Sequence, residues 1–118
     1  MFEMHFEDGD RILCLKYTGL VTPAVFETHM PTVEKAYARV KPRRLLLDWR
    51  DIEGWAPEVE SHVLHIRIQH RDDFDRMAII GTPKWQEEAG KVDEIMTGEV
   101  RFYEPDEEAE AWEWLRAD

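Results

Sequence analysis

Residues 44–55 read Arg44-Leu45-Leu46-Leu47-Asp48-Trp49-Arg50-Asp51-Ile52-Glu53-Gly54-Trp55, and the first half of this stretch decides the fold. Leu45-Leu46-Leu47 is a continuous apolar run between charged residues. A strand that is apolar on consecutive positions is covered on both faces, as the central strand of an α/β sheet is. A strand is predicted over Arg44–Trp49, and Asp48 to Trp55 is predicted to leave it as a loop.

Upstream, Thr22-Pro23 pairs a capping residue with a proline at the first helical position. Phe26, Met30, Val33, Tyr37 and Val40 follow at steps of four and three, so one amphipathic helix runs to Lys41-Pro42, with Pro31 expected to bend it. Before it, Phe2 to Asp8 and Arg11 to Thr18 alternate around Asp8-Gly9-Asp10 and read as a hairpin. Downstream, Pro57 to about His70 reads as a helix and Arg76 to Ile80 as a buried strand closed by Gly81. Thr82-Pro83 opens a helix with the stripe Trp85, Ala89, Val92 and Met96. Glu99 to Tyr103 is the last strand, and Pro105 to Arg116 the last helix, with Trp112 and Leu115 as its buried pair. Strands joined through single helices run parallel. The expected fold is α/β: one mixed five-stranded sheet, with an antiparallel N-terminal hairpin, the remainder parallel, and four helices.

The 118 residues suit a single domain, 1–118. Fifteen Lys and Arg against 26 Asp and Glu give a net charge of −11. That balance disfavours nucleic acid, whose phosphates are bound by cationic side chains, and unassisted adhesion to anionic membrane. The composition, 43% hydrophobic and 35% charged, is that of a globular protein. No apolar run is long enough to span a membrane and no signal-peptide core follows Met1. A lone Cys14 excludes an intramolecular disulfide framework, and a cytoplasmic location is expected.

In such sheets the ligand crevice lies beyond the carboxyl ends of the parallel strands. Asp48 to Trp55, Gly81 to Trp85 and Tyr103 to Asp106 are expected there, and Trp49, Trp55 and Trp85 either wall a cavity or close the top of the core. The helix at 57–70 carries two apolar stripes. Val59, Val63 and Ile66 share one side, while Leu64 and Ile68 lie nearly opposite. A helix lying on a sheet needs one stripe, so the second must meet the neighbouring helix, a second subunit, a ligand or a membrane surface.

Other chemistry is sparse. Glu58, His62 and His65 share a helical sector and could converge on a metal, but they lack the metalloprotease spacing. Ser61, the one serine, has no nucleophile elbow around it. Cys14 reads as a buried structural thiol. Asp48, Asp51 and Glu53 cluster at a strand end, where two carboxylates could share acid/base work. Lys41, Arg43 and Arg44 form a basic turn, either solvated or a docking point for an acidic partner.

Taken together, Leu45-Leu46-Leu47-Asp48, Ile52-Glu53-Gly54-Trp55, Phe74-Asp75-Arg76-Met77-Ala78-Ile79-Ile80-Gly81, Lys84-Trp85, Val100-Arg101-Phe102-Tyr103, Ala111-Trp112 and Trp114-Leu115 resemble the SpoIIAA-like family of the STAS superfamily. The resemblance implies a compact α/β domain that regulates or senses a ligand and does not catalyse. It is similar to lipid-carrier domains of the Sec14 kind, which accept hydrophobic molecules beneath helices that open towards a membrane. On that basis Trp55, Val59, Val63, Ile66 and Trp85 are candidate pocket or lid residues, beside Trp49. The implied partner is a lipid or other hydrophobic small molecule, with transient membrane contact. No cofactor is implied. A homodimeric interaction module is the alternative, and a metal-assisted hydrolase on Glu58, His62 and His65 a minor one. In the superfamily's anti-sigma-factor antagonists a phosphorylatable Ser follows the third strand. Asp51 to Glu60 contains neither Ser nor Thr, and Ser61 lacks the flanking motif, so no phosphorylation switch is expected.

Overall fold

A computed structural model describes residues 2–117. Their order is β1 (Phe2–Glu7), β2 (Ile12–Val21), α1 (Pro23–Val40), β3 (Arg44–Trp55), α2 (Val59–Gln69), β4 (Arg76–Ile80), α3 (Gln86–Ile95), β5 (Glu99–Tyr103) and α4 (Glu108–Arg116). Short 3₁₀ turns, Pro83–Trp85 and Pro105–Glu107, lead into α3 and α4. The strands form one sheet in the order β1-β2-β3-β4-β5. β1 is antiparallel to β2 and the remaining neighbours are parallel, as the sequence predicts.

Local signals account for the element ends. Asp8 and Gly9 turn the hairpin with φ of 55° and 70°, the left-handed region that Asp and Gly tolerate best. Thr22 Oγ1 accepts a hydrogen bond from the Val25 amide at 3.3 Å and Pro23 opens α1. The helix continues through Pro31 and stops at left-handed Lys41, whose amide donates to the Tyr37 carbonyl at 2.6 Å. α2 begins two residues later than predicted, at Val59.

The segment Asp48 to Trp55 is not a loop. β3 runs on to Trp55, paired with β2 through two register shifts, between Lys16 and Thr18 and between Gly19 and Leu20. Each shift absorbs an extra residue of β3, so strict period-two reading fails across it. Trp49 and Ile52 therefore point to the same core although they stand three positions apart, an odd offset. Gly19, at φ 82°, supplies the backbone conformation at the second shift.

Neighbouring parallel strands joined in sequence by right-handed crossovers place every connecting helix on one face. Accordingly Phe26 and Val33 of α1, Val59 and Val63 of α2, and Ala89 and Val92 of α3 join one core with Leu13, Leu45, Met77 and Ile79. The opposite face, Ile12, Cys14, Leu46, Ala78 and Ile80, is covered by α4 through Ala111 and Leu115. Ala111, not the predicted Trp112, is the buried partner of Leu115; Trp112 is only half-buried at the margin. Arginines at the starts of two central strands hold the end of α4. Arg76 donates to the carbonyls of Trp114 at 2.7 Å and Ala117 at 2.8 Å, and Arg44 to those of Leu115 at 2.6 Å and Ala117. They cap the carboxyl end of α4, where the Ala117 amide reaches only the carbonyls of Glu113 at 3.1 Å and Trp114 at 3.3 Å. Arg43 pairs with Asp75 at 2.7 Å, so this basic turn serves internal contacts.

Two glycines give opposite tests. A Cβ at Gly98 would sit 2.1 Å from the Phe74 carbonyl oxygen, whereas one at Gly90, on the exposed side of α3, would meet nothing within 4 Å. Gly98→Ala should lower stability by about 1–3 kcal/mol, the usual cost of forced overpacking. Gly90→Ala should raise it by about 0.4–1 kcal/mol through lost unfolded-chain freedom. Urea midpoints of the two variants check both signs.

Candidate functional site

Between α1, α2 and the sheet lies a cavity of about 110 Å³. Leu13, Leu15 and Tyr17 of β2 and Leu45, Leu47 and Trp49 of β3 form its floor, Phe26, Met30, Val33 and Tyr37 of α1 one wall, and Val63 and Ile66 of α2 the other. Leu47 lies at the middle of the central strand yet stays partly accessible, unlike Leu45 and Leu46, because the cavity lies above it. Aromatic pairs stand towards both ends. Tyr17 and Phe26 meet at 5.6 Å near the carboxyl ends of the strands, and Tyr37 and Phe74 at 5.7 Å near the amino ends.

Four of the six residues singled out from sequence, Trp49, Trp55, Val63 and Ile66, line this cavity. Val59 is buried in the same core but outside the lining. Trp85 also lies outside it and packs edge-on against Trp55 at 6.2 Å, which itself packs edge-on against Trp49 at 5.3 Å. The tryptophans thus wall the cavity and close the core at once. Among the described residues, Trp55 Nε1, Trp85 Nε1 and Thr82 Oγ1 are buried with no hydrogen-bond partner. Each such orphan costs roughly 1–3 kcal/mol when fully desolvated.

Three charged groups break the apolar lining: Glu34, Arg67 and His70. Sequence reading passed over them, although Arg67 stands four residues after Val63 and His70 four after Ile66, the spacing that keeps a side chain on the same helical face. His70 ties the two helical walls together. Its Nε2 lies 2.7 Å from Glu34 Oε1 on α1 and its Nδ1 2.6 Å from Asp73 Oδ2. Burial alone would lower its pKa, but the hydrogen bonds to Glu34 and Asp73 prevail and hold it above the ordinary value of 6.5. When protonated, the ring donates to both carboxylates.

Arg67 is 12% exposed, and desolvation pulls its pKa below the ordinary value despite the nearby carboxylate of Glu88. Its Nη1 and Nη2 both reach the same oxygen, Glu88 Oε1, at 3.4 and 3.5 Å. The other oxygen of Glu88 faces Lys91 Nζ at 3.4 Å, and Lys91 also lies 3.7 Å from Glu60.

The remaining sequence candidates do not assemble. Glu58, His62 and His65 are exposed on or just before α2, and among the described residues no group of three His, Cys, Asp or Glu side chains could hold a metal ion. Asp48 is buried against Arg50 at 3.0 Å, Asp51 pairs with Lys16 at 3.1 Å and Glu53 is exposed, so the two paired carboxylates are turned to different cations. Ser61 is exposed. Cys14 is buried on the α4 side, and burial pushes its thiol up to about 12. The second stripe of α2 does not pack on α3: Leu64 is 47% and Ile68 48% exposed. Among the described residues no helix is long and apolar enough to cross a membrane.

Comparison with known proteins agrees with the fold. An uncharacterized protein of the DUF3478 family with a SpoIIAA-like fold, from Shewanella loihica PV-4, superposes with a TM-score of 0.79 at 25% identity, over 98% of this chain and 92% of that one. The unphosphorylated anti-sigma factor antagonist SpoIIAA superposes over the whole of both chains with a TM-score of 0.68, at 9% identity, a likeness of fold alone. No curated protein matches the sequence. The SpoIIAA-like family model matches residues 12–116, from the second strand of the hairpin to the last turn of α4, and the chain belongs to the SpoIIAA-like family.

Proposed function

We propose that this chain is a non-catalytic binding domain for a lipid or other hydrophobic small molecule, taken up between α1 and α2. The observation that carries this reading is the apolar cavity above Leu47, in the middle of a sheet whose other central residues are fully covered. Its resting volume is smaller than the roughly 150 Å³ at which an apolar cavity accepts benzene. An alkyl chain therefore enters only as the helices part. α2 is suited to move, because its outer stripe, Leu64 and Ile68, is half-exposed and has little packing to lose. The same two side chains supply transient contact with a membrane surface, with the net charge of −11 disfavouring anionic lipid.

Octan-1-ol is a suitable probe, since Trp49 and Trp55 lie in the wall and report its arrival by fluorescence. Binding should saturate at one site, and Ile66→Trp, which fills the space with apolar bulk, should abolish it while the fold persists by circular dichroism. A non-saturating response, or unchanged binding by the variant, would sink this reading.

The contact between Glu34 and His70 latches the walls. Because the folded pKa of His70 is raised, its contribution to stability is complete below the unfolded value of about 6.5 and lost as pH rises through the folded value. Thermal melts from about pH 6 to about pH 8 should therefore show a loss of stability that His70→Gln flattens.

The exposed pair Leu64 and Ile68 also favours a second reading, a homodimer that buries the stripe. Sedimentation over a dilution series separates the two: a monomer throughout excludes the dimer, and a persistent dimer dispersed by Leu64→Glu establishes it.

A further inference from the structure

The cavity holds one feature that an apolar ligand would not use. Of the charged groups in the lining, Glu34 and His70 pair closely with one another, whereas Arg67 is nearly stripped of water and poorly paired. Charge-assisted guanidinium–carboxylate pairs close to about 2.7–2.9 Å and usually engage both carboxylate oxygens. Here both terminal nitrogens share a single oxygen of Glu88 at 3.4 and 3.5 Å. Resting on the binding function proposed above, we infer that the ligand is an amphiphilic carboxylate of the fatty-acid class, its chain lying over Leu47 and its carboxylate on the fork of Arg67.

Three arrangements support this choice. First, the guanidinium is already desolvated in the ligand-free fold, so only the incoming carboxylate must shed water, which is the preorganisation that favours tight pairing. Second, Glu88 can yield Arg67 without being left as an isolated buried charge. Its Oε2 keeps Lys91 at 3.4 Å, and Lys91 is neutralised further by Glu60 at 3.7 Å. Carboxylate exchange at Arg67 therefore leaves the number of ion pairs unchanged. Third, among the described residues the lining residue Trp55 buries its Nε1 without a partner, so what the lining leaves unmatched is a donor and not an acceptor. The anion at the other polar point of the lining, Glu34, is held by His70 at 2.7 Å. An alcohol or hydrocarbon of equal length would fill the cavity but leave the Arg67 fork as it is. A cationic amphiphile would set like charges together.

The test compares octanoate with octan-1-ol, which share a chain length and differ in charge, by calorimetric titration of the full chain at neutral pH. The wild type should bind octanoate at least about tenfold more tightly than the alcohol, since the fork is strong only for an anion. Arg67→Gln should abolish that preference, bringing the affinities of the two probes within about twofold of each other. Glu88→Gln removes the competing carboxylate and should tighten octanoate several-fold, with alcohol unchanged, an effect that a purely structural role for Arg67 would not produce. It also tests the assignment should Arg67→Gln fail to fold. Equal binding of both probes by the wild type, or a preference that survives Arg67→Gln, overturns this inference and leaves the binding function standing. Failure of both probes to bind overturns the two together.

Discussion

Each parallel connection in this sheet joins one strand to its immediate neighbour. When every crossover has the same hand, three such connections in a row leave no choice of side. α1, α2 and α3 must share one face, and whatever covers the other has to come from outside the parallel run. The core divides accordingly, with Phe26, Val63 and Val92 on one side and only α4, through Ala111 and Leu115, on the other. Everything unusual about the molecule follows from this. The crowded face is where helices must be spaced across a twisted sheet, and the space left between α1 and α2 is the cavity.

The element order and the two faces were legible because they rest on periodicity. Leu45-Leu46-Leu47 announces a strand covered on both sides, and the stripe from Phe26 to Tyr37 announces the helix that covers one of them. The continuation of β3 to Trp55 was not legible, since bulges at Lys16/Thr18 and Gly19/Leu20 let a strand carry extra polar residues that read locally as a loop. Period-two alternation resumes only when the partner strand is known. The site was legible in part for the same reason. Trp49, Trp55, Val63 and Ile66 stood out by their apolar character, and the family resemblance made pocket candidates of them, whereas the wall from α1 was read simply as core. A helical stripe looks the same whether it closes on a neighbour or stops short of it.

Charge inside the cavity was the harder part to read. Arg67 and His70 belong to the inner face of α2 by spacing, but a charged residue near the end of an amphipathic helix usually snorkels to solvent. What keeps these two inward is tertiary. Glu34 comes from α1 and Glu88 from α3, at sequence separations of 36 and 21 residues. Only the folded chain brings those carboxylates within reach. The two pairs also differ in kind. The His70 contacts, at 2.6 and 2.7 Å, are closed, while the Arg67 contacts, beyond 3.3 Å, are slack.

The division of the core into two unequal faces has a further consequence, for how motion in the molecule can be watched. Cys14 lies on the side sealed by α4, and Trp49 and Trp55 line the side walled by α1 and α2. The single thiol and two of the indoles are therefore natural reporters separated by the thickness of one sheet. Thiol labelling registers departure of α4, whose last turn is held by Arg44 and Arg76. The emission of Trp49 and Trp55, as distinct from that of Trp112 and Trp114 on α4, registers parting of α1 from α2. The two signals move together only when the sheet itself comes apart, so their difference separates opening of the cavity from unfolding.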